Sequence, residues 1–323
     1  MDAGTEATST TPATQGTDQV QPESELDAET LMPIKTPEGV PSISPEKYEE
    51  LVRYFKYASS SYTLICPRPC GNTLVTSFSN AATDILGFIA RDSARKEIIV
   101  ATRGSASIAD VILDAQVIQV PLVAPGVKVL SEVRVHAGFL AAWDSVALQV
   151  LTVLLAQHKI YPDYSFVTTG HSLGGAVALL AALSLKGTFP SSEVRTYSYG
   201  APRTGNDAFA ETVNTTFGLN AHRVVHANDG SLPGPLTASV PTMIPGILGY
   251  HHHGVEYWQY ASPPSNSTTV QCDMSGEDPK CSLSIPTRGI TIAHTNVILW
   301  DPGIDPVLPV TAKLAPISIP PGG

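Results

Sequence analysis

The chain has 323 residues, of which 43% are hydrophobic and 15% are charged, and its formal net charge at pH 7 is -10. The first forty residues carry eight acids against Lys35 alone, so they hold -7 of that charge and leave -3 for the rest. This balance shows no basic surface that would favour nucleic acid. No uninterrupted run reaches the roughly 18 apolar residues that a membrane span needs, so we expect no transmembrane segment.

Two regions are predicted from composition. Residues 1–40 are rich in Thr, Glu, Ser and Pro and lack hydrophobic periodicity, which predicts a disordered acidic tail or the remnant of a propeptide. Residues 41–323 are predicted to form one catalytic domain, since α/β folds of this size are often a single body.

Several sequence features bear on the compartment. Met1-Asp2-Ala3-Gly4 has neither the basic start nor the apolar core of a secretory signal. Two N-glycosylation sequons, Asn214-Thr215-Thr216 and Asn266-Ser267-Thr268, nevertheless favour passage through an oxidising compartment. We therefore expect a secreted glycoprotein from which a signal peptide has been removed.

The four cysteines lie in two pairs that are close in sequence. Of the three possible pairings, closure of short loops favours Cys66 with Cys70 and Cys272 with Cys281. The alternative is that all four cysteines are free thiols and that both sequons occur by chance, as would be expected of an intracellular protein.

The predicted elements begin with a helix. Ser44 supplies a capping hydroxyl, Pro45 presets φ in the first turn, and Glu46 lies near the positive end of the helix dipole. The apolar residues that follow recur at helical spacing: Tyr48, Leu51, Val52 and Phe55. This helix marks the start of the predicted domain.

Strands and helices then alternate. Runs rich in β-branched and aromatic residues predict strands at 85–90, 97–102, 133–136, 164–169, 196–199 and 222–227. Helices are predicted at 143–157, 173–185 and 207–217. Such alternation is typical of an α/β fold with a mostly parallel central sheet covered by helices on both faces.

The segment from Gly170 to Gly175 is typical of a nucleophile elbow. It reads G-H-S-L-G-G between a predicted strand and a predicted helix, which is the context that a G-x-S-x-G turn requires. The turn lifts a serine hydroxyl clear of the sheet and needs small neighbours. Ser172 is therefore the candidate nucleophile, and a helix-capping serine is the alternative interpretation.

A serine nucleophile needs a carboxylate further along the chain, and in α/β-hydrolases the order is Ser, Asp or Glu, His. Asp229 is preferred because it follows the predicted strand at 222–227, at the sheet edge where such folds place their sites. Asp207 is explained by its position at a helix start. Asp301 and Asp305 come after every candidate histidine.

The general base must follow Asp229, which leaves His294 and the triplet 251–253. We predict His294, in a loop-like stretch beyond the second cysteine pair. The triplet could suggest a metal site, but neighbouring side chains on an extended chain alternate in direction and cannot all reach one ion. His136 and His171 are interpreted as buried hydrogen-bonding residues.

Acyl transfer also needs fixed donors for the negative oxygen of the tetrahedral intermediate. One is usually the backbone N–H directly after the nucleophile, which is Leu173. Residues 103–107 follow the predicted strand at 97–102, and Ser105 in this loop offers both an N–H and a hydroxyl. Ser105 and Leu173 are the predicted oxyanion hole.

Six segments occur in an order that is typical of one known family. They are residues 102–105 (TRGS), 135–139 (VHAGF), 170–175 (GHSLGG), 197–206 (YSYGAPRTGN), 223–229 (RVVHAND) and 254–258 (GVEYW). Together they resemble the fungal class 3 lipase family, an α/β-hydrolase family of triacylglycerol lipases and feruloyl esterases. The resemblance covers about residues 44–300.

The resemblance implies the same triad of Ser172, Asp229 and His294, and the same oxyanion hole of Ser105 and Leu173. It implies that the triplet before Gly254 belongs to a supporting loop. The spacing of Cys272 and Cys281 also resembles a family disulfide.

In this family a short helical lid follows the oxyanion loop, and here residues 106–117 occupy that position. Ile108, Val111, Ile112 and Ala115 fall at i, i+3, i+4 and i+7, which predicts an apolar face. Such a face favours a lipase that acts at lipid surfaces. A permanently packed helix is the alternative interpretation of the stripe.

The predicted protein is thus a serine hydrolase that cleaves carboxylic esters through an acyl-enzyme, with neither metal nor cofactor. Its expected partners are a lipid or ester substrate and, transiently, a lipid–water interface, and we expect a monomer. A feruloyl-type or general carboxylesterase is the alternative, as is an inactive relative that only binds surfaces.

Overall fold

A computed structural model describes Met1, Ile34 and residues 37–63, 66–104, 118–229 and 249–285. The predicted lid, Ser105 and His294 lie outside these residues, as does most of the predicted acidic tail. Their assignments stay predictions.

The described residues form twelve strands. In chain order these are β1 (Thr73–Asn80), β2 (Ile85–Asp92), β3 (Glu97–Thr102), β4 (Gln119–Pro121), β5 (Arg134–His136), β6 (Ser165–His171), β7 (Val194–Tyr199), β8 (Gly205–Asn206), β9 (Ala221–His226), β10 (Tyr250–His251), β11 (Glu256–Gln259) and β12 (Thr269–Gln271). The helices among them are α1 (Pro45–Ser60), α2 (Ala137–Ile160), α3 (Leu173–Thr188) and α4 (Asp207–Phe217).

Eight strands form the central sheet, in the order β1-β2-β3-β6-β7-β9-β11-β12. The five from β3 to β11 run parallel, whereas β1, β2 and β12 join antiparallel at the two edges. The predicted mostly parallel sheet is confirmed. Because parallel strands end on the same side, the loops after β3, β6 and β9 meet at one edge of the sheet.

The predicted strand at 133–136 belongs to a second sheet. Strand β5 pairs antiparallel with β4 and β8, and β10 completes four strands in the order β10-β8-β5-β4. This small sheet leads directly into α2.

Helices cover both faces of the central sheet, as predicted. Helix α1 begins with Ser44, whose side chain accepts a hydrogen bond from the Lys47 N–H at 3.2 Å. Its residue Leu51 lies in one buried cluster with Ile99 and Val167 from the strands. Helices α2, α3 and α4 contribute to a larger cluster that includes strand residues Ile98, Val100 and Phe166.

Helix α2 is the one described helix that is long and apolar enough to cross a membrane by those two criteria, although Asp144 interrupts the apolar run. Half of its most apolar window is buried inside the domain. Trp143, fully buried, donates a hydrogen bond from Nε1 to the Ser184 hydroxyl of α3 at 2.8 Å. This packing identifies α2 as a core helix.

The cysteines divide into one disulfide and two thiols. Cys272 and Cys281 are bonded, with their Cα atoms 6.2 Å apart, as predicted. The predicted pairing of Cys66 with Cys70 is wrong in this structure, where both are free. Cys70 sits in a tight turn with φ of 50°, and a bond needs facing Cβ vectors as well as a short loop.

The Cys272–Cys281 disulfide belongs to a small buried cluster with Val225, Trp258 and Val270. Ile34 and Val40, from the end of the predicted tail, are partly buried against the same cluster. The chain just after them is fixed by backbone pairing, because the Ile43 N–H donates to the Thr269 carbonyl at 3.0 Å.

Candidate active site

Ser172 lies at the sharp turn between β6 and α3, as predicted. Its backbone has φ of 57° and ψ of -133°, a strained conformation for a residue with a side chain. The Ser172 N–H donates to the Tyr199 carbonyl of β7 at 2.8 Å, and the side chain is 1% exposed. The surrounding structure therefore holds this residue in a conformation that an isolated turn would avoid.

Glycines permit the turn because the neighbouring backbone comes too close for any side chain. A Cβ at Gly170 would lie 2.3 Å from the Gly174 carbonyl oxygen, and one at Gly174 would lie 2.4 Å from the Thr102 carbonyl oxygen. The Thr102 hydroxyl also donates to the Gly174 carbonyl at 2.6 Å. The end of β3 is thereby packed against the first turn of α3.

Leu173 begins α3, and the first N–H groups of a helix have no partner within the helix. That position suits the predicted donor to an oxyanion. The other predicted donor, Ser105, lies outside the described residues. Gly104, directly before it, is close to the nucleophile, since a Cβ at Gly104 would lie 3.1 Å from Cβ of Ser172.

Asp229 lies three residues beyond the end of β9, and it is 4% exposed. Its N–H donates to the His226 carbonyl at 2.9 Å. The turn is tied to the sheet at Ala227, whose N–H donates to the Gln259 carbonyl at 2.7 Å and whose carbonyl accepts from Trp258 Nε1 at 2.9 Å. These hydrogen bonds fix the turn that carries the Asp229 carboxylate.

Ser172 and Asp229 follow β6 and β9, which are separated in the sheet by β7 alone. Two strand spacings correspond to about 10 Å, which leaves room for one imidazole between the two side chains. The structure thus brings the predicted nucleophile and acid to the same edge of the sheet. His294, the predicted base, lies outside the described residues.

The triplet histidines point to different surroundings. His251 is partly exposed, with Nδ1 4.0 Å from an Asp207 carboxylate oxygen. The His253 Nδ1 lies 2.6 Å from the Gly254 carbonyl, and burial lowers the pKa of His253 to about 4. His252 lines a small cavity with Asp229.

Two ion pairs, one of them almost wholly buried, line the same cavity as Asp229. Arg223 donates to the Glu256 carboxylate at 2.7 Å, and both side chains are almost wholly buried. Arg203 binds Glu277 in a bidentate manner, at 2.7 Å from Nε and 2.6 Å from Nη2. Burial raises the pKa of Glu277, but the Arg203 hydrogen bonds outweigh it and hold that pKa below its usual value.

Sequence reasoning missed the role of Tyr62, which lies just beyond α1. Its hydroxyl accepts a hydrogen bond from the Gly104 N–H at 3.1 Å and lies 3.0 Å from Nδ1 of His171. His171 directly precedes the nucleophile and is buried, as predicted. No motif in the sequence singles out this tyrosine, because its partners are 42 and 109 residues away.

His136 also has the structural role predicted for it. Its Nδ1 accepts hydrogen bonds from the N–H groups of Gly138 and Phe139, at 3.1 and 3.4 Å, and so caps α2. Burial lowers the pKa of His136 to about 4, which keeps this acceptor neutral at pH 7.

One group among the described residues brings three potential metal ligands together, namely Glu256, Cys272 and Cys281. The two cysteines form the disulfide and have no thiolate to offer. These residues therefore do not fit a metal ion.

The fold and the nucleophile elbow define an α/β-hydrolase. The sequence pattern of the family described as lipase (class 3) matches residues 99–232. Over 261 residues the chain is 33% identical to a lipase of Rhizomucor miehei, a match that spans 76% of this chain and 67% of that protein. The chain therefore belongs to the class 3 lipase family, which confirms the resemblance.

Two further similarities agree with this membership. The chain is 37% identical over 198 residues to the secreted mono- and diacylglycerol lipase 1 of Fusarium solani. That match spans 61% of this chain and about half of the Fusarium protein, 54%. The crystal structure of a lipase from Rhizopus microsporus var. chinensis has a TM-score of 0.70 at 32% identity, over 83% of this chain and 92% of that one.

Proposed function

We propose that the chain hydrolyses carboxylic esters with Ser172 as nucleophile, Asp229 as acid and His294 as base. The observation that carries this proposal is the conformation of Ser172, a buried serine held at φ of 57° between a parallel strand and a helix. Strain of this kind is typical of functional sites, where the surrounding structure maintains it. Asp229, two strands away at the same edge, supplies the required carboxylate.

The proposed reaction follows from these positions. His294 takes the proton from the Ser172 hydroxyl as the oxygen attacks the ester carbonyl, and Asp229 stabilises the resulting imidazolium. Ser105 and Leu173 donate to the oxyanion. The carbon–oxygen bond to the leaving alcohol breaks as His294 returns the proton, and water then cleaves the acyl-enzyme by the same steps.

We further propose that the substrates are acylglycerols at a lipid–water interface. The named relatives are lipases, and the predicted lid would place Ile108, Val111 and Ile112 on one face. Burying each such side chain in lipid is worth roughly 1.5–3 kcal/mol, so the stripe would favour an interface by several kcal/mol before ordering costs.

The test compares two substrates with the full chain. Hydrolysis of a long-chain triglyceride emulsion is expected to be faster than hydrolysis of methyl ferulate, and to rise once the triglyceride exceeds its solubility. A preference for the soluble aromatic ester would reject the lipase assignment and favour the esterase. Failure to cleave either ester would reject the proposed reaction.

We also propose that the protein is secreted and carries its N-glycan on Asn266. The sequon at 266–268 forms a short turn at the surface. In the other sequon, the Asn214 amide is already used: Nδ2 donates to the Met274 carbonyl at 3.2 Å and Oδ1 accepts from the Gly254 N–H at 2.9 Å. A glycan on Nδ2 of Asn214 would compete for space with the Met274 carbonyl, whose hydrogen bond connects α4 with the chain after β12. Peptide mass mapping after enzymatic deglycosylation is expected to mark Asn266 and leave Asn214 unmodified.

A further inference from the structure

We propose that Tyr62 is a positioning residue for the nucleophile elbow and the oxyanion loop, a role that rests on the ester hydrolysis proposed above. Its hydroxyl bridges two chain segments that are far from it in the sequence. One is Gly104, where the chain leaves β3, and the other is His171, the last residue of β6. These segments flank the position where an ester carbonyl would meet Ser172.

The hydrogen-bonding capacity of a phenol fits both partners at once. The Tyr62 oxygen accepts from the Gly104 N–H at 3.1 Å, and this leaves the O–H as a donor. This O–H can donate to Nδ1 of His171 at 3.0 Å in the tautomer that carries the histidine proton on Nε2. Phenylalanine cannot replace either interaction, so the hydroxyl has a function that the ring alone lacks.

The contact takes place in a closely packed environment. The Tyr62 and His171 rings meet edge to face with centroids 5.8 Å apart, and burial of the hydroxyl raises the pKa of Tyr62, so the phenol stays protonated. The Gly104 N–H and the nearby Arg103 oppose that rise only in part. A protonated phenol can serve as donor and acceptor at any pH at which the enzyme would be assayed.

The Tyr62 hydroxyl occupies the space that a side chain at position 104 would need. A Cβ at Gly104 would lie 2.3 Å from the Tyr62 oxygen and 2.8 Å from the His171 carbonyl oxygen. Glycine is thus required because the phenol, the elbow and the end of β3 approach one another at this point. Ser105 follows directly in the chain, so fixing Gly104 fixes the start of the segment that carries the proposed oxyanion donor.

This geometry predicts an effect on the transition state more than on the bound ester. Without the bridge, the peptide after Gly104 and the Ser172–Leu173 turn are free to separate, and oxyanion donors depend steeply on distance. Binding of the uncharged ester depends less on these donors. Loss of the hydroxyl should therefore lower kcat and leave KM nearly unchanged.

The experiment compares Tyr62→Phe with Tyr57→Phe in the full chain, using p-nitrophenyl butyrate. Tyr57 lies in α1, is buried, and accepts a hydrogen bond from Asn72 at 2.7 Å, so its variant controls for loss of a buried phenol oxygen. For Tyr62→Phe we expect kcat to fall about 10- to 100-fold with KM within about twofold. Tyr57→Phe should keep the wild-type kcat.

A boronic acid inhibitor supplies a readout that a purely structural role would not change. It forms a tetrahedral anion on the serine, so its Ki should rise in Tyr62→Phe by the same factor as kcat falls, while the Ki of an unreactive ether analogue stays constant. Equal weakening of both inhibitors, or an unchanged kcat, would overturn the proposal. Thermal unfolding measured beside these assays identifies a variant that has lost its fold.

Gly104→Ala gives a second test, in which the added Cβ would also lie 2.8 Å from the His171 carbonyl oxygen and 3.1 Å from Cβ of Ser172. Its Cβ would displace the Tyr62 hydroxyl, so it should show the same selective loss of boronic acid binding even if Tyr62→Phe proves unstable. A fully active Gly104→Ala variant would contradict the proposed bridge. If the wild-type enzyme itself cleaves no ester and binds no boronic acid, the proposed function fails, which is a different result from wild-type behaviour in Tyr62→Phe.

Discussion

The nucleophile and the acid are held in place by different physical means. Around Ser172 the contacts are steric, since the carbonyl oxygens of Gly174 and Thr102 lie within 2.4 Å of where a Cβ at Gly170 or at Gly174 would lie. Around Asp229 the turn is held by hydrogen bonds, and the adjacent cavity is lined by the ion pairs of Arg203 with Glu277 and of Arg223 with Glu256.

This difference has consequences for mutation and for pH. A packed turn responds to added volume and is insensitive to protons. A region held by buried charges tolerates small changes of shape but depends on the ionisation of its carboxylates. An added methyl group should therefore disrupt the structure of the nucleophile elbow. Low pH should instead disrupt the region around Asp229.

The largest effect is expected for Ser172→Ala. Removing the nucleophile should lower kcat by several orders of magnitude and leave the free energy of unfolding nearly unchanged. Ser184→Ala is a matched control in the same helix–turn unit, because it removes the acceptor of Trp143 Nε1 and should cost about 1–2 kcal/mol of stability without loss of kcat. Ester assays and thermal unfolding of both variants distinguish the two roles.

A loss of similar size is expected for His294→Ala, since a serine without its base is a weak nucleophile. His252→Ala provides the comparison within the cavity that contains Asp229, and it should lose far less activity. If His252 proves indispensable while His294→Ala stays active, the assignment of the base is wrong.

Gly174→Ala tests the steric side of the comparison. Its Cβ would meet the Thr102 carbonyl oxygen at 2.4 Å, so the elbow or the end of β3 must shift, and we expect about a 100-fold loss of kcat. Gly218→Ala is the control, because nothing beyond its chain neighbours lies within 4 Å of its Cβ and the cost is about 1–3 kcal/mol of stability for a side chain at φ of 51°. Equal activities of the two variants would remove the steric explanation.

Glu277→Gln tests the electrostatic side. At pH 7 it leaves Arg203 buried without its carboxylate, and we expect a loss of about 2 kcal/mol, less than for a fully buried pair because the Glu277 side chain is 18% exposed. The folded-state pKa of Glu277 is lowered, so its stabilisation is complete above the unfolded value and disappears as the pH falls through the folded one. The difference between wild type and variant, measured by denaturant unfolding, should therefore shrink from pH 7 to pH 3. A difference that does not depend on pH would contradict this explanation.

Local patterns predicted the elements that are buried and regular. Helix α4 spans the predicted residues 207–217, and β3 spans the predicted 97–102. Strand β1 (Thr73–Asn80) was missed because it lies at the sheet edge, where Phe78 is its one fully buried residue and no clean alternation marks it. A hydrophobic pattern indicates which residues are buried, and few residues of an edge strand are buried.

For the site, prediction succeeded where one short segment carries the whole signal. The elbow is such a segment, since strand, turn and helix adjoin in the sequence. The Arg223–Glu256 pair, the Arg203–Glu277 pair and the Tyr62 bridge connect residues between 33 and 109 positions apart, and charged or phenolic residues at such separations carry no periodicity. Their partners are determined by the topology of the sheet.

The central claim is that the hydroxyl of Ser172 is the acyl acceptor. It is tested most directly by labelling the folded, active chain with a fluorophosphonate and mapping the adduct by peptide mass spectrometry. We expect one adduct, on the peptide that contains Ser172, with loss of esterase activity in proportion to labelling. An adduct on another residue, or full activity after complete labelling, would contradict the account.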